Sequence, residues 1–343
     1  MLHAVIFTPL LAAFALLAVR KEDVRNVKRV AVAGAGLTLL FALLLARGFR
    51  AGADGFGALA QFDWLPSFGA RYAVGVDGIG LALIVMTAAL APLTLLAAWS
   101  SIQARVRDFA FWFLALETFM LGAFSSRDLF LFFVFWELLL VPMLFIIGRW
   151  GGARRVYAAL KFFLFTMAGS LPMMAALAYL YVRHRAAFPG EAPSFLLTDL
   201  ARLPLTMTEQ AWCFAAFGLS FAIKVPLWPV HTWLPDAHTE APTPGSMILA
   251  GVLLKLGGFG FLYVAIPLFP DAARAAAPVV MTLSVIGVLA GALVAMVQPD
   301  LKKLVAYSSV AHMGMVMLGM FALNREGLVG AAFQMIAHGV STG

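Results

Sequence analysis

FAIKVPLWPVHTWLPDAHTEAPTPGSMILAGVLLKLGGFG, residues 221–260, places two lysines where lysine is scarce. Lys224 and Lys255 each belong to a run otherwise apolar enough to cross a bilayer, and a proline-rich break separates the two runs. An ammonium at that depth is costly, so side chains of this kind mark ion pathways. Pro226 and Pro229 remove backbone donors just after Lys224, which predicts an interrupted helix whose freed carbonyls are met by water or side chains. Broken helices at mid-membrane are a recurring way to build an ion site. The hypothesis that follows is proton movement.

Composition agrees with this reading. The 343 residues are 63% hydrophobic and 12% charged, with a mean hydropathy of +0.94, the profile of an all-α, multi-span membrane protein. Cys213 is the single cysteine, which excludes a disulfide within the chain and any multi-thiolate metal or iron–sulfur site; it reads as a small apolar filler. The net charge of +7 comes from basic residues scattered through short loops and not from a stripe on a soluble domain. The expected surroundings are therefore a lipid bilayer and not nucleic acid.

Hydropathy predicts about eleven spans, over 2–19, 29–46, 76–99, 109–124, 129–148, 158–182, 211–231, 244–266, 276–297, 303–322 and 328–343. The first has no basic leader and runs into RKEDVRNVKR (20–29), so it reads as an uncleaved span. Alternate loops hold thirteen and nine Lys and Arg, and the richer set includes 20–29 and 149–161. Placing that set in the cytoplasm puts the N-terminus on the outer side. The two longest loops, 47–75 and 183–210, then lie outside, where they are expected to fold back over the helices or touch a neighbouring subunit. The glycines of GVDGIG (75–80) invite a nucleotide reading, but no strand is predicted before them and their spacing is not that of a dinucleotide loop.

More ionisable groups fall within the apolar runs. Glu117 and Glu137 each lie about eight residues, roughly 12 Å, from the SSRD turn that joins their helices, so the hairpin sets them at similar depth. If they face each other they repel when both are ionised, a setting suited to proton exchange; the plain alternative is one glutamate hydrogen-bonded for packing. A fixed Lys–Glu pair locking two helices is likewise the plain alternative for Lys224, although such a lock needs only one lysine. His312 and His338 each sit about ten residues into a helix, again near the centre, and imidazole passes protons in both directions near neutrality. A lone buried histidine more commonly serves packing, but a shared depth with Glu137, Lys224 and Lys255 favours a belt of ionisable groups.

The break itself holds His231, Asp236, His238 and Glu240, residue types that bind metals. Their spacing matches no helical zinc signature, and capping with water access at the cytoplasmic end of a broken helix accounts for them better.

These segments resemble a known family. GVDGIGLALIVMTAALAPL (75–93), DLFLFFVFWELLLVPMLFIIGRWGG (128–152), KFFLFTMAGSL (161–171), residues 221–260 and QPDLKKLVAYSSVAHMGMV (298–316) are similar to the antiporter-like, proton-translocating subunits of respiratory complex I. The words VPMLFIIG after FWE stand nearer the M type than the sister L and N types. Mrp-type sodium–proton antiporters and membrane-bound hydrogenases share the HTWLPDAH region and remain alternatives.

The resemblance implies a fourteen-helix subunit with two five-helix units of inverted topology, each contributing a broken helix. On that pattern residues 1–108 form an N-terminal three-helix region, 109–266 the first five-helix unit and 276–343 the start of the second. The chain then stops inside helix eleven, as a truncated version would. Glu137 matches the essential glutamate of helix five, Lys224 the lysine of broken helix seven and Lys255 that of helix eight. His312 and His338 match histidines of the central axis, with Glu117, His231, Asp236 and His238 in support. No cofactor is expected in this chain; flavin, iron–sulfur clusters and quinone would belong to partner subunits, with L and N as neighbours in a bacterial plasma membrane. A stand-alone cation–proton antiporter and a membrane metalloenzyme built on His231, Asp236 and His238 are the rival readings.

Overall fold

The computed structural model describes residues 1–50, 52 and 55–343. Its helices are α1 (Leu2–Ala18), α2 (Val24–Arg47), α3 (Gly78–Ser101), α4 (Val106–Ser125), α5 (Leu129–Trp150) and α6 (Arg155–Ala187). They continue as α7 (Met207–Lys224), α8 (Trp233–Glu240), α9 (Thr243–Leu268), α10 (Pro270–Met296), α11 (Leu301–Phe321) and α12 (Arg325–Thr342). Eight of them, α2 to α6 and α9 to α11, are long and apolar enough to cross a membrane. The span over 211–231 is interrupted as its prolines predict: the helix stops at Lys224, and the next begins at Trp233.

Polar residues at helix starts explain many of the boundaries. Asp77 accepts from the Gly80 backbone N–H to begin α3, and Asp128 accepts from Phe130 and Leu131 to begin α5. Thr206 and Glu209 form a reciprocal capping box at the start of α7. Each meets N–H groups that the helix itself leaves unpaired.

The all-α expectation needs one correction. Residues Gly57–Leu65 (β1) and Ala70–Val76 (β2) form an antiparallel hairpin within the long 47–75 loop, with Phe62 opposite Tyr72. A strand therefore does precede GVDGIG, and the nucleotide reading fails on spacing alone; Asp77 there serves as a helix cap. The aromatic and β-branched residues of ARYAVGV, Tyr72, Val74 and Val76, are the strand signal, one masked by the glycines around it. Both long loops fold back over the helix ends and meet at the α4–α5 turn. The Arg127 backbone N–H donates to Ala73 of β2 at 2.8 Å, and Leu197 of the 183–210 loop donates to the Arg127 carbonyl at 3.0 Å.

The centre of the bundle is α9. Of its most apolar stretch 83% is buried, against 22% for α10 and 28% for α2, and α3, α4, α7, α11 and α12 all pack on it. Glycines make this crowding possible. A Cβ on Gly257 would stand 2.7 Å from the Phe221 carbonyl oxygen of α7, and one on Gly258 would stand 2.7 Å from the Met335 sulfur of α12. Gly257→Ala is therefore expected to cost about 1–3 kcal/mol through overpacking. A lower midpoint of thermal unfolding in detergent would show it, and an unchanged midpoint would contradict this close approach.

Candidate functional site

Lys224 ends α7 inside the protein, with 1% of its surface exposed. The chain then runs through cis Val225–Pro226 and Trp228–Pro229 peptides before α8 begins. The carbonyls freed by this break need partners, and the buried Trp233 indole supplies one by donating to the Ile223 carbonyl at 2.8 Å. The Lys224 ammonium makes no hydrogen bond among the described residues. It lies 5.1 Å from the ring centre of Trp136 on α5 and 5.7 Å from that of Phe162 on α6. Aromatic faces offset a part of the cost of burying the charge, about 0.5–2 kcal/mol each.

Glu137, the residue after Trp136, is half-buried and lies within electrostatic reach of Lys224, with the Ser170 hydroxyl of α6 beside it. Ser170 also accepts from the Trp136 indole N–H at 3.2 Å. Glu137 and Lys224 do not close into a salt bridge within 4 Å, so among the described residues this pair is coupled through space and not locked.

Lys255 is completely enclosed at the middle of α9. A wide π-helical turn over Leu249–Leu253 precedes it, and the Lys255 ammonium donates back to the Ala250 carbonyl in that turn. Its other contact is the Nδ1 atom of His338 on α12, at 2.7 Å. The far ring nitrogen of His338, Nε2, stands 3.1 Å from the Ser309 hydroxyl of α11, which itself donates to the Val305 carbonyl. With Lys255 as an ammonium donor and the Ser309 hydrogen committed to Val305, Nδ1 accepts and Nε2–H donates to Ser309, which assigns a neutral imidazole to this arrangement. Lysine, histidine and serine from three helices thus form one hydrogen-bonded line.

The remaining sequence-selected residues sort differently. The His312 ring lies 5.5 Å from that of His338, tilted by 50°, and meets Gln334 at 3.1 Å, but it is exposed and not at the enclosed centre expected of it. Glu117 is fully buried, and among the described residues neither of its oxygens has a hydrogen-bond partner. Equal depth on two helices does not fix the direction in which each side chain points. Asp236 and Glu240 do not cap the broken helix. Asp236 takes Lys161 of α6 at 2.6 Å and Arg154 at 3.8 Å, and Glu240 takes Arg154 at 3.7 Å and its backbone N–H at 2.8 Å. His238 is buried on α8, which packs on α11, and His231 is half-buried. Among the described residues no three His, Cys, Asp or Glu side chains gather as metal ligands.

Ser170, Ser309 and Trp136 were not legible as site residues. Serine and tryptophan in apolar helices are common, and only the fold reveals what their polar atoms touch.

A helical membrane bundle in which an interrupted helix lies against a second helix, each with an enclosed lysine, defines the antiporter-like class. The family described as NADH:quinone oxidoreductase/Mrp antiporter, transmembrane, matches residues 126–343, and the chain belongs to it. NADH-quinone oxidoreductase subunit M of Rhodobacter capsulatus is 44% identical over all of this chain and 68% of its own length. That of Rickettsia conorii is 42% identical over 91% of this chain and 62% of its own length, so the chain spans about two thirds of these relatives. Among solved structures, a chain of respiratory complex I from Thermus thermophilus superposes on all of this chain with a TM-score of 0.89 at 34% identity, over 69% of its length.

Trp233→Phe removes the donor to Ile223 and leaves a buried carbonyl unmet, a loss of about 1–3 kcal/mol. Thermal unfolding of the variant should begin earlier than that of the parent; coincident curves would show that the break does not depend on this bond.

Proposed function

We propose that this chain is a proton-translocating membrane subunit of NADH-quinone oxidoreductase, of the M type. The observation that carries the proposal is the enclosed Lys255–His338–Ser309 line, next to a second enclosed lysine that has no hydrogen-bonded counter-ion. A buried charge with no fixed partner costs several kcal/mol. A fold that keeps two of them is using their ability to gain and lose protons.

The steps follow from the contacts. Charge on Glu137 lowers the electrostatic cost of a proton on Lys224, so a change at Glu137 is felt at Lys224 without motion of the chain. Lys255 hands a proton to Nδ1 of His338, leaving a neutral amine and an imidazolium whose Nε2–H stays on the Ser309 oxygen. His312 and Gln334 lie beyond, at the exposed edge of the same cluster. Every group in this series carries protons and none carries electrons. NADH oxidation and quinone reduction, with flavin and iron–sulfur clusters, belong to partner subunits, and the L and N subunits are the neighbours proposed in the membrane.

The same reading assigns residues 1–108 to an N-terminal membrane region, 109–266 to a first translocating unit and 276–343 to the start of a second. It places the protein in a bacterial plasma membrane with its N-terminus outside. The rival is an Mrp-type sodium–proton antiporter, which the shared family description keeps in view. Sodium-dependent proton flux in vesicles, without NADH or quinone, would favour the rival.

Glu137→Gln keeps size and hydrogen bonding but removes the charge beside Lys224. In the assembled complex it should abolish or strongly reduce proton pumping while assembly survives. Pumping at the parent level would sink this assignment.

A further inference from the structure

Helix α9 contains a second wide turn, over Phe261–Ala265, so the segment Leu254–Gly260 that carries Lys255 lies between two π-helical turns. A wide turn holds one extra residue, and moving it along a helix exchanges an i→i+5 hydrogen bond for an i→i+4 bond. Little backbone bonding is lost in such a move, so side-chain anchors decide where the turn sits. Each residue that a wide turn passes is rotated by about 100° about the helix axis. The direction in which Lys255 points therefore depends on what holds these two turns.

At the first turn the anchor is the Lys255 ammonium on the Ala250 carbonyl. At the second it is Tyr263, whose hydroxyl donates to the Asp77 carboxylate and whose ring stacks on Phe259, with centroids 4.2 Å apart. Asp77 is itself held rigidly. Its Oδ1 caps α3 by accepting from the Gly80 backbone N–H at 2.8 Å, and the Arg127 guanidinium stands 4.0 Å from that same oxygen, which leaves Oδ2 to Tyr263. Arg127 donates from Nε to the Gly75 carbonyl at 3.1 Å and lies over Tyr263 at 5.2 Å. Strand β2, the start of α3 and the α4–α5 turn therefore meet the second wide turn at one tyrosine. Beside it is a cavity of about 640 Å³, lined in part by Asp77, Arg127, Tyr263, Gln61 and Thr198, which gives the phenol room to leave the carboxylate.

We propose that Tyr263 and Asp77 form a positioning latch that holds α9 in the rotational register in which Lys255 meets His338. The proposal rests on the functional reading above for its consequence, proton transfer, but not for its geometry. Neither residue touches the proton-carrying groups; both act through the helix. With the latch closed, the second turn stays at 261–265 and the ammonium faces Nδ1 of His338. With the latch open, the segment can rotate, and the link to His338 breaks while the remainder of the bundle keeps its packing.

The test is Tyr263→Phe in the full assembly, with the structure of the variant determined and protons pumped per NADH measured in sealed vesicles. The expected result is a displaced second turn, loss of the 2.7 Å contact between Lys255 and His338, and a severalfold fall in protons per NADH with electron transfer retained. An intact contact with the turn still at 261–265 would overturn the latch, as would an unchanged proton ratio alongside a broken contact. Should Tyr263→Phe fail to assemble, Asp77→Ser replaces it, because serine still caps α3 but is too short to reach Tyr263. Lys255→Ala run in parallel separates the two ideas. Parent-level pumping in Lys255→Ala would remove the functional reading and leave the latch to be judged on the Lys255–His338 contact alone.

Discussion

The Lys255 ammonium is shut away from water and shares its hydrogens between a backbone carbonyl and an imidazole, with no carboxylate bonded to it among the described residues. Much of the architecture follows from housing that group. A desolvated cation needs oriented acceptors, and an ordinary α-helix has none to spare because each carbonyl is committed to its own ladder. The wide turn before Lys255 presents the Ala250 carbonyl to the side chain. The second acceptor must come from another helix, and α12 can deliver His338 only if it approaches closely. Gly258 against Met335 permits that approach, and Gly257 brings α7 equally near on the other side. The most buried helix of the bundle is thus also the one with the least regular backbone.

Lys224 solves the same problem by different means. Its nitrogen has aromatic faces in place of hydrogen bonds, and its carboxylate stays within electrostatic reach without closing into an ion pair. A closed pair would be a stable lock, and its proton would be hard to move. The open arrangement keeps the lysine responsive to the charge on Glu137. The fold seats the two lysines on adjoining helices, one at a chain break and one beside a wide turn. In both places the backbone has given up regular bonding next to the charge, as expected where irregular backbone is tolerated only inside protein.

Much of this was legible from residue order. Pro226 and Pro229 announced the break, and the helix does end at Lys224, because a proline cannot supply the next donor. The pairing of Lys255 with His338 was visible as a shared depth and became a contact. Other parts had no local signature. Nothing in ILAGVLLKLGGFGFLYVA spells two wide turns, since they arise from tertiary anchors and not from propensity. Tyr263 and Asp77 are 186 residues apart, so their bond is invisible before the chain folds. The glutamate hairpin shows the limit: turn length sets the depth of Glu117 and Glu137 but not the packing that encloses Glu117 and leaves Glu137 half-buried.

The central claim is that the enclosed lysines are kept for their protons and not for stability, and Lys224→Met tests it most directly. Methionine retains length and apolar bulk while removing the buried charge, a replacement that is commonly neutral or stabilising. Measured together in the assembled complex, the variant should unfold at the same temperature as the parent or higher and should lose proton pumping. A destabilised variant, or one that pumps as the parent does, would contradict the account.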